Sequence, residues 1–266
     1  MLRHRLPAFG SRQQMLSWRP EATGKLPLPF LLRMTNYTLY PVGDCCITML
    51  VGSSINEEAS QKVIAMQRWM QFYVFTGLKD VIVAYNSISL VYDPVLVRRH
   101  CHPAGTVSSF IENKLTKAFE QAAPYSEEQG VIRIPVCYGN EYGRDLESVA
   151  RLKELDPDEV VSIHAGAVYR VYMIGFLPGF PYMAIVPPAI AAPRKDGPQP
   201  VAAGSVGIAG IQTGIYPLAS PGGWQIIGRT PLQLFKALVN DHPLLQAGDR
   251  VQFYPITKEA FISWIE

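Results

Sequence analysis

Four polar residues stand where their chemistry would count. Between Gly175 and Gly228 the only charged residues are Arg194, Lys195 and Asp196, in a stretch that also holds nine prolines and ten glycines. A guanidinium in such apolar, turn-rich surroundings needs an anion. Asp196 is the near candidate, and a substrate phosphate or carboxylate is the alternative. Gln212 and Thr213 follow the run Gly204-Ser205-Val206-Gly207-Ile208-Ala209-Gly210. Buried, each must find partners, so each either pins the turn or offers a donor to a ligand. His164, at the end of a predicted helix, has an unperturbed pKa of ~6.5 and suits general acid or base work. The alternative is an imidazole satisfied by its own fold. Gly222 and Gly223 precede Trp224 in a tight turn whose backbone can face an anion or simply bend a barrel corner. Phe180, Tyr182, Tyr216 and Trp224 read either as core or as a substrate platform.

Other chemistries are excluded by spacing. No GxxxxGK[ST] phosphate loop or HExxH is present. Gly204, Gly207 and Gly210 are spaced GxxGxxG, not the dinucleotide GxGxxG, and no βαβ unit surrounds them. Ala203 stands where a nucleophile elbow around Ser205 would need glycine. His100-Cys101-His102, read as extended chain, brings only the two histidines to one face, and two ligands without a third do not make a zinc site. No metal is expected. Cys45, Cys46, Cys101 and Cys137 show no CxxC spacing and read as reduced thiols.

The 266 residues carry a net charge of +2, so nucleic-acid binding is not indicated. No run reaches the ~20 uninterrupted apolar residues that span a bilayer. A soluble, cytoplasmic protein without membrane contact is expected. Residues 1–33 hold Arg3, Arg5, Arg12, Arg19, Lys25 and Arg33 against Glu21 alone. They read as a non-structural extension: a transit peptide, a tail, or a consequence of translation starting upstream of Met34.

The elements that must position these groups fall into two sets. In residues 34–124, strands are predicted over Tyr37–Tyr40 and Cys45–Val51, a helix over Ile55–Phe75 capped by Ser53 or Asn56, strands over Val81–Tyr85 and Ser87–Tyr92, and a helix over Thr106–Ala123. This is a small α+β domain of two layers. Ala122–Gly130 reads as a linker. In residues 131–266, a strand at Val131–Cys137 and a helix at Asp145–Leu155 precede a helix opened by Asp156-Pro157-Asp158-Glu159, which ends near Gly166. Strands then follow at Val168–Phe176, Ser205–Ile208, Gln212–Ile215, Trp224–Gly228 and Arg250–Tyr254, with regular turn signals that indicate a closed β-barrel.

GFLPGFPYM at 175–183, AAGSVGIAGIQTGIYP at 202–217 and SPGGWQIIGRTP at 220–231 resemble the family of 5-oxoprolinase B subunits, also known as KipI-type sporulation-kinase inhibitors or allophanate hydrolase subunit 1. RIPVCYGNEYGRDLESVA, EVVSIHAGAVYRVY and QAGDRVQFYPI are similar to the same family further along the chain, and LYPVGDCCITMLVG resembles its opening strand. The resemblance implies an α+β fold: a small α+β N-terminal domain followed by a cyclophilin-like β-barrel domain. It implies one component of a complex, inactive alone, that opens 5-oxoproline to glutamate with ATP and Mg. The partners it implies are the 5-oxoprolinase A and C subunits, the latter of KipA type. The alternatives it carries are a KipI-like inhibitor of a histidine kinase and the carboxyltransferase part of a urea carboxylase.

On that resemblance His164, Arg194, Gln212 and Thr213 are the catalytic candidates, and Phe180, Tyr182, Gly207, Tyr216, Gly222 and Trp224 the substrate-binding ones. A second Pro-Arg pair of the family pattern reads Pro198-Gln199 here, which removes one cation.

Overall fold

A computed structural model describes residues 36–54, 56–123, 130–235 and 243–264. The N-terminal segment 1–33 and most of the expected linker lie outside the described residues.

The first sheet is built from β1 (Tyr37–Pro41), β2 (Cys46–Val51), β3 (Leu78–Ala84) and β4 (Ser87–Tyr92) in the order β1-β2-β4-β3. The alternation of β4 sends Ile88 and Leu90 inward, where they meet Val63, Met66 and Met70 of α1 (Glu57–Phe72) and Ile111 and Leu115 of α3 (Val107–Gln121). These positions recur at helical spacing, so each helix lays one apolar face on the sheet. Asn56 is the cap of α1, its side chain accepting from the Ala59 amide at 2.8 Å. Between β4 and α3 lies a helix that the extended reading of His100-Cys101-His102 missed: α2 (Pro94–Cys101). Asp93 caps it through the Val95 and Leu96 amides at 3.0 Å, and Pro94 fills its first turn. The two histidines therefore sit at a helix C-terminus, and among the described residues no group of three metal-ligating side chains gathers.

The second sheet closes on itself. Its strands are β5 (Ile132–Tyr138), β6 (Val168–Ile174), β7 (Pro181–Ala184), β9 (Ser205–Ala209), β10 (Gln212–Ile215), β12 (Gln225–Arg229) and β13 (Arg250–Pro255). The order around the barrel is β10-β7-β6-β13-β5-β12-β9, with β13 parallel to β5 and every other pair antiparallel. A separate ribbon pairs β8 (Gln199–Val201) with β11 (Ser220–Gly222). Val136, Val171, Met183, Ile208, Ile227 and Phe253 fill the barrel. Helices α4 (Leu146–Lys153) and α5 (Pro157–Gly166) pack on it, and α6 (Lys258–Ser263) follows β13. At the start of α5, the Asp156 amide donates to the Glu159 carboxylate at 2.8 Å, as that four-residue signature predicts. The described residues thus form a mixed α/β structure with a seven-stranded closed barrel and six α-helices. None of those helices is long and apolar enough to cross a membrane.

Candidate functional site

The four polar candidates do not form one cluster. His164 closes α5 and is fully buried in the barrel. Its Nε2 lies 3.0 Å from Thr213 Oγ1, and its Nδ1 lies 2.9 Å from the Tyr138 hydroxyl. Thr213, itself wholly buried, donates its proton to the Gly207 carbonyl at 3.0 Å. That donation fixes the rest of the relay: His164 donates from Nε2 to Thr213 and accepts from Tyr138 at Nδ1. The ring also stacks on Phe253 at 4.7 Å. Burial lowers the His164 pKa to about 3, and burial holds the Tyr138 phenol well above its ordinary value. Every member of the relay is neutral and occupied. His164 and Thr213, expected as catalytic, have the surroundings of an internal brace, because neither exposes an atom to a substrate.

Gln212 precedes Thr213 on β10, so strand alternation turns it the other way. Its Nε2 donates to the hydroxyl of Tyr85, at the turn between β3 and β4. The Tyr85 ring lies 6.0 Å from Tyr172 and 6.2 Å from Tyr182. Gln212 therefore joins the first sheet to the barrel, a contact between distant segments that local spacing does not reveal.

Arg194 is the candidate that faces outward. Its loop is pinned on both sides. The Gly210 amide donates to Ala192 at 2.6 Å, Gln225 Nε2 to Pro193 at 3.0 Å, and the Lys195 amide to Gly223 at 2.8 Å. The Lys195 ammonium pairs with Asp145 at 2.6 Å, and that carboxylate also accepts the Ile226 amide at 2.7 Å. Lys195 and Asp145, which the sequence reading did not single out, thus aim Arg194. Among the described residues Arg194 makes no ion pair within 4.0 Å, so of the two partners the sequence left open, the Asp196 carboxylate is not engaged. A Cβ at position 223 would stand 3.9 Å from both Nε and Nη2 of Arg194, which puts the glycine turn directly beside the guanidinium. Burial raises the pKa values of Tyr182 and Tyr216, and the Arg194 charge pulls both back down. Gln199 pairs with Gly222 across β8 and β11, which places it at this same corner.

The aromatic candidates resolve mainly into core. Phe180 and Tyr216 are 1% exposed and Trp224 5%, with ring centroids 5.1 to 6.5 Å apart and edge-to-face packing throughout. Gly207 and Gly214 face each other across β9 and β10. A Cβ on Gly214 would lie 3.0 Å from the Trp224 ring and 3.1 Å from that of Phe180, so the glycine motif makes room for aromatic packing. Gly222 does the same for Tyr216. Tyr182 is half-buried, and Phe176, 62% exposed with φ of 68°, stands edge-on to Phe180 and Tyr216 at the rim.

The chain is of the carboxyltransferase type: residues 37–245 match the carboxyltransferase domain, subdomain C and D. The chain is 42% identical over 237 residues to the B subunit of 5-oxoprolinase from Bacillus subtilis (strain 168), covering 86% of this chain and 97% of that protein. It is 45% identical over 217 residues to the B subunit of 5-oxoprolinase from Escherichia coli O157:H7, covering 81% and 94%. It belongs to the family of 5-oxoprolinase B subunits. Among solved structures it is similar to TTHA0988, with a TM-score of 0.67 and 34% identity over 79% of this chain. It spans only 39% of that longer chain. The K. lactis urea amidolyase shares the fold, with a TM-score of 0.65, 18% identity and coverage of 85% of this chain and 15% of that one.

Proposed function

We propose that this protein is the B subunit of an ATP-dependent 5-oxoprolinase, opening 5-oxoproline to glutamate in the cytoplasm together with A and KipA-type C subunits. Family membership supports the reaction, and one observation carries this chain's part in it: the Arg194 guanidinium is exposed, without a carboxylate partner among the described residues, and held beside Gly223 by a loop pinned on both sides. A lactam carbonyl is a poor electrophile, and ATP supplies the phosphoryl group that makes its oxygen a leaving group. Arg194 binds the anionic oxygens and stabilises the negative charge as it develops. The Tyr182 hydroxyl offers a second polar contact near Arg194. The donor set suits a phosphate or carboxylate: a planar fork over a backbone with no Cβ in the way. The relay from Tyr138 through His164 to Thr213 braces β10 beneath the site and moves no proton to substrate. In this reading residues 34–124 and 131–266 are two domains, the second of cyclophilin-like type, and the exposed corner opens toward another member of the complex.

Reconstitution tests the proposal. The chain alone should form no glutamate from 5-oxoproline and ATP, and addition of the A and C subunits should produce it. A complete set that forms no glutamate would falsify the assignment.

A further inference from the structure

Between β6 and β7 the chain runs through Gly175-Phe176-Leu177-Pro178-Gly179. The Leu177 amide donates to the Gly175 carbonyl at 2.9 Å, so the chain makes a γ-turn centred on Phe176. With φ of 68° this is the rare, strained form of that turn, where a Cβ crowds the backbone. Hydrogen bonds from the Gly175 amide to Phe180 at 3.1 Å and from the Phe180 amide to Leu177 at 3.0 Å hold the loop in place. The strained residue carries its phenyl ring into solvent, 62% exposed, with only edge contacts to Phe180 and Tyr216. Strain from which folding gains so little marks a residue kept for what its side chain meets.

The ring borders the Arg194 corner. Its centroid lies 6.5 Å from that of Tyr216. The hydroxyl end of Tyr216 fits against Gly222, where a Cβ would stand 2.7 Å from Cε1 and Cζ. The next residue, Gly223, has the Arg194 guanidinium beside it, and the Arg194 charge lowers the Tyr216 pKa against the burial that raises it. Phe180, Tyr216 and Trp224 are buried and Tyr182 is half-buried, so of these five rings Phe176 offers the most open face.

We infer that Phe176 is a specificity residue of the Arg194 site, packing on the apolar body of a substrate whose anionic end the guanidinium holds. The inference rests on the reading of that site proposed above and adds the class of molecule: a small anion with a saturated, apolar body. 5-Oxoproline is of that class, a carboxylate and a lactam carbonyl on a ring with adjacent methylene groups. The phenyl ring keeps water from those methylenes, and losing such a contact weakens binding about tenfold.

Equilibrium dialysis of labelled 5-oxoproline with the assembled A, B and C subunits, without ATP, tests it. Phe176→Gly and Phe176→Asn remove the ring and suit a positive φ, so both should fold and melt no earlier than wild type. Both should bind about tenfold more weakly, whereas Phe176→Tyr, which keeps the ring, should bind within about twofold of wild type. Early melting of both ringless variants would make the ring a structural prop and overturn the inference, as would unchanged binding. It is overturned equally by a wild-type complex that binds no 5-oxoproline. Loss of co-sedimentation with the A and C subunits would make the ring a subunit contact and overturn it too. Glutamate formation with ATP, followed alongside, keeps this inference apart from the proposed activity. Ring-dependent binding without turnover sinks the activity alone, and turnover with binding that ignores the ring sinks the inference alone.

Discussion

His164 and Arg194 lie on one barrel with opposite surroundings, and their variants should separate accordingly. Unfolded, His164 takes a proton below pH ~6.5; folded, burial withholds it until about pH 3. Its contribution to stability is therefore complete above pH ~6.5 and is lost as pH falls from there toward 3, by up to about 1.4 kcal/mol per pH unit. Urea unfolding between pH 7 and pH 4 should show a shallower loss in His164→Gln than in wild type, and equal slopes would assign the acid sensitivity to other groups. Thr213→Val leaves the Nε2 proton buried without an acceptor and should cost about 1–3 kcal/mol at pH 7. Arg194→Ala should instead lower the rate of the reconstituted complex about 100-fold, with stability within about 0.5 kcal/mol of wild type. A parallel loss of melting temperature and rate would make Arg194 structural. The sequence marks these residues as polar groups in apolar surroundings, and of them the structure leaves Arg194 exposed. Spacing does not show that His164 meets Thr213, or that Tyr138 completes the relay, because those contacts exist only once α5 is packed against the closed barrel.

Elements were legible wherever their signals are local. Asn56, Thr106 and Asp156 mark helix starts that the structure keeps, and the alternation in β4 gives its buried face. Three short strands were not, because Pro181, Pro200 and Pro221 interrupt any alternation in β7, β8 and β11. Barrel order was not legible either, since β5 pairs with β13 from the far end of the chain. The glycine turn was legible as a turn, but its two glycines differ in a way only packing reveals. A Cβ at Gly222 would stand within overlap distance of the Tyr216 ring, at 2.7 Å from Cε1 and Cζ, whereas nothing lies closer than 3.7 Å to one at Gly223. Gly222→Ala should therefore destabilise by about 1–3 kcal/mol, and Gly223→Ala should leave the melting temperature nearly unchanged. If Gly223→Ala melts as early as Gly222→Ala, the turn is limited by backbone conformation and not by contact with Tyr216.

At the scale of the whole molecule, two apolar cores, one under the four-stranded sheet and one inside the barrel, are joined through a small set of contacts. Composition and turn signals separated the two layers but carried no information about the joint, which depends on side chains far apart in sequence. Tyr85 brings its ring to Tyr172 and Tyr182 and its hydroxyl to Gln212. Glu57 reaches Arg170, and Ala247 of the barrel side packs against the first core. If residues 34–124 and 131–266 are separate domains, these contacts are what couples their unfolding. Calorimetry of wild type should then show one transition. Removing the ring and the ion pair together, as Tyr85→Ala with Glu57→Ala, should cost roughly 1–3 kcal/mol of coupling and split the melt into two transitions. The four-stranded unit should melt first, because Tyr40 and Ile82 leave part of its sheet exposed at 42% and 50% while the barrel has no open edge. Tyr85→Phe, which deletes only the hydrogen bond, should shift the melt slightly and keep it single. A double variant that still melts in one step, only at lower temperature, would show that residues 36–266 fold as one cooperative body and that the boundary between the two sets of elements is topological, not energetic.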